Sequence, residues 1–240
     1  LHFEAAITCL DRGLTSSSRA GARRARRPGA PPALRTAPPV AAGRGGRRSG
    51  SSRAMAIRGE SVKFCSECGA TVNLVIPDDD DRLRHVCSAC AMVHYVNPKV
   101  IVGCLPAVGD KILLCKRAIE PRYGKWTLPA GFMENKESSA EGAARETWEE
   151  AAAKAINLDL YRIFDVPYIS QVYLFYRCQI ENDVFGVGPE SLESALFSQE
   201  DIPWDELAFP VVREILQEFL EDRVSGQYPI RNTEIEYPRR

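Results

Sequence analysis

Two Cys-x-x-Cys pairs, Cys65-Ser-Glu-Cys68 and Cys87-Ser-Ala-Cys90, stand 18 residues apart, and they narrow the folding choices of this chain more than any other feature. Each pair presents two sulfurs on a tight knuckle, and two knuckles complete the tetrahedron that Zn2+ prefers. Gly69, directly after the first pair, supplies the pliant backbone such a knuckle wants. Two disulfides or a redox Cys-x-x-Cys are the competing readings; the acidic run Asp78 to Asp81 and the lack of an apolar secretory core favour metal. With four thiolates the ion has no open position for water, so it holds the fold and does not catalyse. His85 and His94 lie close enough in sequence to be substitute ligands, a surface place being the simpler expectation. Cys104, Cys115 and Cys178 sit in apolar stretches and read as buried thiols.

The formal net charge of -1 over 240 residues conceals a split. Residues 1–59 carry 12 Arg and no Lys against Glu4 and Asp11, a surplus of ten positive charges. Residues 60–240 therefore hold 19 basic and 30 acidic side chains, a net -11. An acidic body argues against a nucleic-acid groove, which needs clustered Lys and Arg along the phosphates. It suits a protein that collects cations. The longest nearly unbroken apolar run, Val100 to Val108, falls far short of the roughly 18 residues that span a bilayer, so no membrane crossing is expected. The Ala/Gly/Ser/Pro-rich segment 1–59 cannot offset its chain entropy by burial and reads as a disordered extension. Its composition is that of an organelle transit peptide, which would place the protein in a chloroplast or other plastid. GC-rich untranslated sequence encodes the same residues, in which case Met55 is the natural start and the location cytoplasmic.

Four divisions are expected: the extension 1–59, a zinc ribbon at 60–97, an α/β domain at 98–222 and a loose tail at 223–240. Val100–Ala107 and Lys111–Arg117 read as strands joined at Gly109-Asp110, and Ala155–Val166 and Ser170–Ile180 as two more. Glu137–Lys154 reads as a helix with Ser138 or Ser139 as N-cap before Glu141, and Phe209–Asp222 as an amphipathic closing helix. On the first helix Glu146 and Glu150 lie about 40° apart with Glu149 beside them, so three carboxylates share one face. Gathering like charges is costly without a cation, and hard oxygen ligands suit Mg2+ or Mn2+, which bind and polarise phosphate oxygens. Arg145 is placed to pair with Glu137, which would leave the other three carboxylates free. A solvated acidic helix face is the plainer alternative.

The register of Gly131, Glu137, Arg145, Glu146, Glu149 and Glu150 resembles the Nudix box, with Thr147 where an aliphatic is usual and Ala152 where a second glycine is usual. Ala152 matters if that backbone needs positive φ. The likeness extends over residues 98–222, and with the ribbon in front the body is similar to plant chloroplast and bacterial FAD or ADP-ribose pyrophosphatases. Glu190-Ser-Leu-Glu193 and the stretch Ile202 to Phe209 share in it. The resemblance implies an α/β/α sandwich with a mixed sheet, and hydrolysis of a nucleoside diphosphate derivative giving AMP plus FMN or ribose 5-phosphate. It implies Mg2+ or Mn2+ held by Glu146, Glu150, Glu149 and the carbonyl of Ala130, with Arg145 in the catalytic group. The base would be Glu149 or Glu150, with Glu190 or Glu193 on a late loop as the other choice.

Zinc-ribbon relatives that cleave NADH carry Ser-Gln-Pro-Trp-Pro-Phe after the box. Here Ser170 and Gln171 are followed by Val172-Tyr173-Leu174-Phe175, which favours FAD or ADP-ribose over NADH. Tyr168, Tyr173 and Phe132 offer flat faces to a base, although a core position suits each as well. A non-catalytic interaction module and an RNA-end hydrolase are the rival classes; the intact glutamate set opposes the first and the acidic body the second. Many relatives of this type form homodimers, so a dimer is a further expectation.

Overall fold

The computed structural model describes residues 62–236, so the extension at 1–59, its reading as a transit peptide and Met55 lie outside the described residues. The chain first forms a small antiparallel sheet of β1 (Val72–Val75), β2 (Arg84–Cys87) and β3 (Val93–His94). Val72 pairs with Cys87 and His85 with His94, so the strands carry the two cysteine knuckles at their ends.

The larger sheet is built from β4 (Lys99–Val108), β5 (Lys111–Arg117), β6 (Trp126–Thr127), β7 (Ala130–Phe132), β8 (Ala155–Val166), β9 (Gln171–Ile180), β10 (Ser191–Phe197) and β11 (Arg231–Glu234). Its order is β10-β5-β4-β9-β8-β11, with β6 paired to β5 and β7 to β4. The sheet is mixed: β4 runs parallel to β9 and β11 parallel to β8, while β4–β5, β8–β9 and β5–β10 are antiparallel. Strand alternation separates its two faces. Leu105, Ile112, Leu114, Phe164 and Phe175 point to one side and pack on α2 (Pro210–Ser225) through Val211, Val212, Ile215, Leu216 and Phe219. Val102, Cys104, Leu113, Cys115 and Cys178 point to the other, under Ala143 and Ala151 of α1 (Ser139–Ala151). Both faces being covered explains why the central strands read as continuous apolar runs.

Helix α1 starts two residues later than the acidic pattern suggests because Ser138 caps it. Its hydroxyl accepts from the Glu141 N–H at 3.3 Å while the Glu141 carboxylate accepts from the Ser138 N–H at 2.8 Å. The helix ends before Lys154 because Ala152 takes the left-handed conformation, φ 47° and ψ 33°, and donates its N–H to the Trp148 carbonyl. The positive φ that the glycine of the box would supply without strain is thus imposed on an alanine. Helix α2 has Pro at its first position and Gly226 at φ 68° beyond its last.

Two expectations are corrected. Residues after Gly226 are not a loose tail: β11 joins the sheet edge, and Arg231 donates to Asp222 at 2.7 and 2.8 Å. Asp222 also accepts from Arg162, fully buried, at 2.6 Å and from the Tyr161 hydroxyl at 2.8 Å, while Arg162 further pairs with Glu218. The late loop around Glu190 to Phe197 is largely strand β10, whose edge position tolerates the polar residues that hide its pattern. No helix among the described residues is long and apolar enough to cross a membrane.

Candidate active site and zinc centre

The four ribbon cysteines converge, with ligand atoms all within 4.8 Å of one another. Measured edges are 3.7 Å for Cys65–Cys90, 3.4 Å for Cys68–Cys87 and 3.6 Å for Cys68–Cys90. A tetrahedron with Zn–S bonds of about 2.3 Å has edges of about 3.8 Å, so the set fits one zinc ion, whereas two disulfides would draw the sulfurs into separate pairs. N–H groups of Ala89 and Cys90 point at the Cys87 sulfur at 3.4 Å, and these bonds lower that thiol to about 6, favouring the thiolate a metal needs. The convergent group holds no histidine. His85 and His94 face each other across β2 and β3, the latter with a buried Nε2 that has no hydrogen-bond partner.

The acidic site lies between α1 and the loop that follows β7. Gly131 lets the backbone approach closely there: a Cβ at that position would stand 2.4 Å from the Glu146 carboxylate and force it to shift. The expected Arg145–Glu137 pair is present at 2.9 and 3.0 Å, and it anchors Glu137, whose carboxyl Arg145 holds down at about 2. The expectation that Arg145 leaves the other carboxylates free is corrected. Its Nη1 reaches Glu146 at 2.8 Å and Glu149 at 2.9 Å, and its Nη2 reaches the Phe132 carbonyl at 3.2 Å. A guanidinium has five donors in a plane, and here it ties the loop and two helix carboxylates into one unit.

Glu150 stands apart. It is 5% exposed, and its Oε2 is buried without a hydrogen-bond partner. Burial, and then the charge of Glu146, pushes its carboxyl up to about 8, while a backbone contact with Ala130 acts the other way. Burial raises Glu146 as well. A buried carboxylate oxygen with nothing bound to it, beside a second acid and the backbone of Ala130, fits a divalent cation bound by hard oxygen ligands. Among the described residues the glutamates do not converge as the cysteines do, since Arg145 holds two of them.

Of the late carboxylates, Glu193 pairs with Lys116 at 3.6 Å, whereas the charge of Glu190 is felt at both Glu146 and Glu150. The loop before Glu190 is pinned to the end of α1. The Gly188 N–H donates to the Glu150 carbonyl at 3.0 Å, and a Cβ at Gly188 would lie 1.7 Å from the Glu149 carbonyl oxygen. Among the aromatics, Phe132 is 53% exposed beside Lys99, with 5.0 Å from Nζ to the ring centroid. Tyr173 stacks on Phe175 at 6.1 Å and donates its hydroxyl to Gln171 at 2.9 Å. Arg117, a single basic residue at the end of β5 with no spacing signal in the sequence, lowers the Glu150 carboxyl through its charge.

Residues 63–96 match the model of the Nudix N-terminal zinc ribbon, and residues 97–219 match that of the NUDIX domain. A solved Nudix hydrolase from Nitrosomonas europaea is 48% identical with a TM-score of 0.71, covering 73% of this chain and all of its own. Among curated proteins, an NAD-capped RNA hydrolase NudC from Photobacterium profundum is 29% identical over 140 residues, 57% of this chain and 49% of the relative. A NudC from Salmonella paratyphi C is 26% identical over 168 residues, 69% of this chain and 61% of the relative. The chain thus spans about half to three-fifths of the length of these curated relatives. With the carboxylate helix held against Gly131 on a mixed sheet, a four-cysteine ribbon before it and both family models in register, this chain belongs to the Nudix family.

Proposed function

We propose that the chain hydrolyses the pyrophosphate bond of a small nucleoside diphosphate derivative, with Mg2+ or Mn2+ as the catalytic cation. The observation that carries this reading is the unpartnered, buried Oε2 of Glu150 next to Glu146. Glu146, Glu150 and the Ala130 carbonyl would hold the cation, which when bound neutralises phosphate charge and acidifies water. Arg145 fixes Glu146 and Glu149, so the helix presents its acids in one geometry before substrate arrives. Water adds to one phosphorus, the bridging oxygen leaves with the other phosphate, and the water proton passes to a carboxylate. Glu190 is the base in this reading, because Glu149 is bound by Arg145 and Glu193 by Lys116.

The names of the curated relatives favour a nicotinamide dinucleotide, and the net -11 of residues 60–240 favours the free dinucleotide over an RNA end. A second reading, FAD or ADP-ribose, is supported by β9. Val172 and Tyr173 continue a regular strand paired with Val100 and Ile101, where NADH-cleaving relatives have Pro-Trp-Pro. All these substrates share the diphosphate, so selectivity rests on the pocket for the half that is not adenylate. The test is turnover by the full chain of NADH, FAD and ADP-ribose with Mg2+ and with Mn2+, the products separated by chromatography. AMP plus NMNH, FMN or ribose 5-phosphate is expected, and the highest kcat/KM chooses between the readings. Absence of cleavage, or inorganic phosphate as the first product, would overturn the proposal.

A further inference from the structure

At the end of the large sheet remote from the catalytic helix, a cavity of about 370 Å³ opens between the strands and α2. Strands β4, β8 and β9 form its floor, and α2 with Tyr228 forms its wall. The volume falls within the range of small-molecule sites, near the lower limit. The cavity is separate from the catalytic groove. Strand β7, which carries Ala130 and Gly131, pairs with β4 at Ile101 to Gly103, and α1 covers the face of the sheet that Val102 and Cys104 share. Ala107, which lines the cavity, lies at the other end of β4 and packs on the α2 side.

The polar side chains that line this space are each aimed by a partner within the protein. Strand β8 bulges between Ile156 and Asp159, with Asn157 at φ 54°, and the Asn157 amide nitrogen donates to Gln179 Oε1 at 2.7 Å. That bond engages the Gln179 acceptor and leaves its two N–H groups unspent. Arg177 lies over Tyr228, its guanidinium carbon 3.8 Å from the ring centroid, and Tyr228 stacks in turn on Phe219 at 5.6 Å. The carboxylate partner of Arg177 is Asp159, at a long 3.4 Å and with a side chain 71% exposed. Arg223 donates from Nη1 to the Asp110 carbonyl at 2.6 Å and from Nη2 to Gln199 at 3.1 Å. These bonds hold its fork still, while Nε and one hydrogen on each terminal nitrogen are left over.

Two guanidinium groups against one carboxylate make the cavity positive, in a body of net -11. A local excess of this kind draws an anion, and two forks with an amide N–H2 match the several oxygens of a phosphate. Asn157 Oδ1 and the Asp159 carboxylate line the same space as acceptors, and acceptors suit hydroxyl groups. We propose that this cavity binds the phosphate monoester of a sugar, free or within a mononucleotide. Arg177, Arg223 and Gln179 take the phosphate, and Asn157 and Asp159 take the sugar hydroxyls. Such a site is distinct from the carboxylate helix and does not depend on which bond the chain hydrolyses.

Hydrogen exchange read by mass spectrometry on the full, zinc-loaded chain tests it, titrated with AMP, ribose 5-phosphate, ribose and sulfate up to millimolar concentration and without added Mg2+ or Mn2+. AMP or ribose 5-phosphate should slow exchange in residues 155–160, 176–180 and 219–228. Slowing by both esters assigns the sugar phosphate as sufficient, and slowing by AMP alone assigns the mononucleotide. Arg177→Gln and Arg223→Gln should each raise the dissociation constant about tenfold or more, the worth of one charge-assisted contact. No slowing in these segments with either ester, or slowing confined to residues 131–151, overturns the inference. Ribose or sulfate acting as strongly as the esters overturns it too, and so does a dissociation constant within twofold of wild type in either variant that folds.

Discussion

In the ribbon, Cys65 and Cys87 are buried while Phe64, Leu74, Ile76, Leu83 and Tyr95 are each more than half exposed. In the sheet domain, Leu105, Leu114, Phe164, Ile215 and Leu216 lose all contact with solvent. A ribbon of this size has no apolar interior able to offset the entropy of ordering its chain, so the convergent thiolates must do so through a metal. The sheet domain needs no such help. Metal in the first region supplies folding free energy, and metal in the second supplies chemistry to a scaffold already formed by packing.

The largest effect that separates the two regions is zinc removal. Structural zinc carries an apparent binding free energy of about 10–16 kcal/mol, most of which is folding free energy in a ribbon. Cys68→Ser should therefore lose the ion and the hydrogen-exchange protection of β1 to β3, while β4 to α2 stay protected. One zinc per wild-type chain is expected by metal analysis. A Cys68→Ser chain that keeps zinc would place His85 or His94 in the site.

An acid titration separates them next. Burial raises the Asp222 carboxyl, but bonds from Arg231, Arg162 and Tyr161 outweigh it and hold the group down at about 2. Its unfolded value is near 3.9, so the native form binds fewer protons. The stabilisation is complete above about pH 4 and is lost as pH falls towards 2, and is worth about 2 kcal/mol. Zinc, which requires thiolates, should leave at higher pH than the sheet domain melts. Asp222→Asn should flatten the acid limb of the melting temperature; an unchanged limb would remove the buried network from the account.

A smaller effect is expected within the sheet domain. Ala152→Gly should stabilise it by about 1 kcal/mol, because Ala152 sits at φ 47° where a Cβ is unfavourable. Thermal melting checks the sign, and destabilisation would mean that the alanine methyl gains more from its neighbours than its backbone loses.

Much of this was legible in the sequence because the signals are local. Continuous apolar runs marked β4 and β5, alternation marked β9, the Ser138–Glu141 spacing marked the cap, and two Cys-x-x-Cys pairs marked the ribbon. What escaped depends on distant partners. β11 reads Arg-Asn-Thr-Glu, with no apolar pattern, and is held by an ion pair to a residue on α2. That Arg145 would divide its donors among three acids follows from side-chain directions that no spacing encodes.

We propose that Glu150 is a cation ligand of the catalytic site and contributes nothing to the fold of the ribbon. Its most direct test is the turnover of Glu150→Gln on a substrate that wild type cleaves, with zinc content and melting temperature measured on the same preparation. A fall in kcat of about a thousandfold or more is expected, with zinc retained and the melting temperature close to that of wild type, since an isosteric amide replaces a buried carboxyl whose Oε2 has no partner. Near-normal turnover with Mg2+ would contradict it.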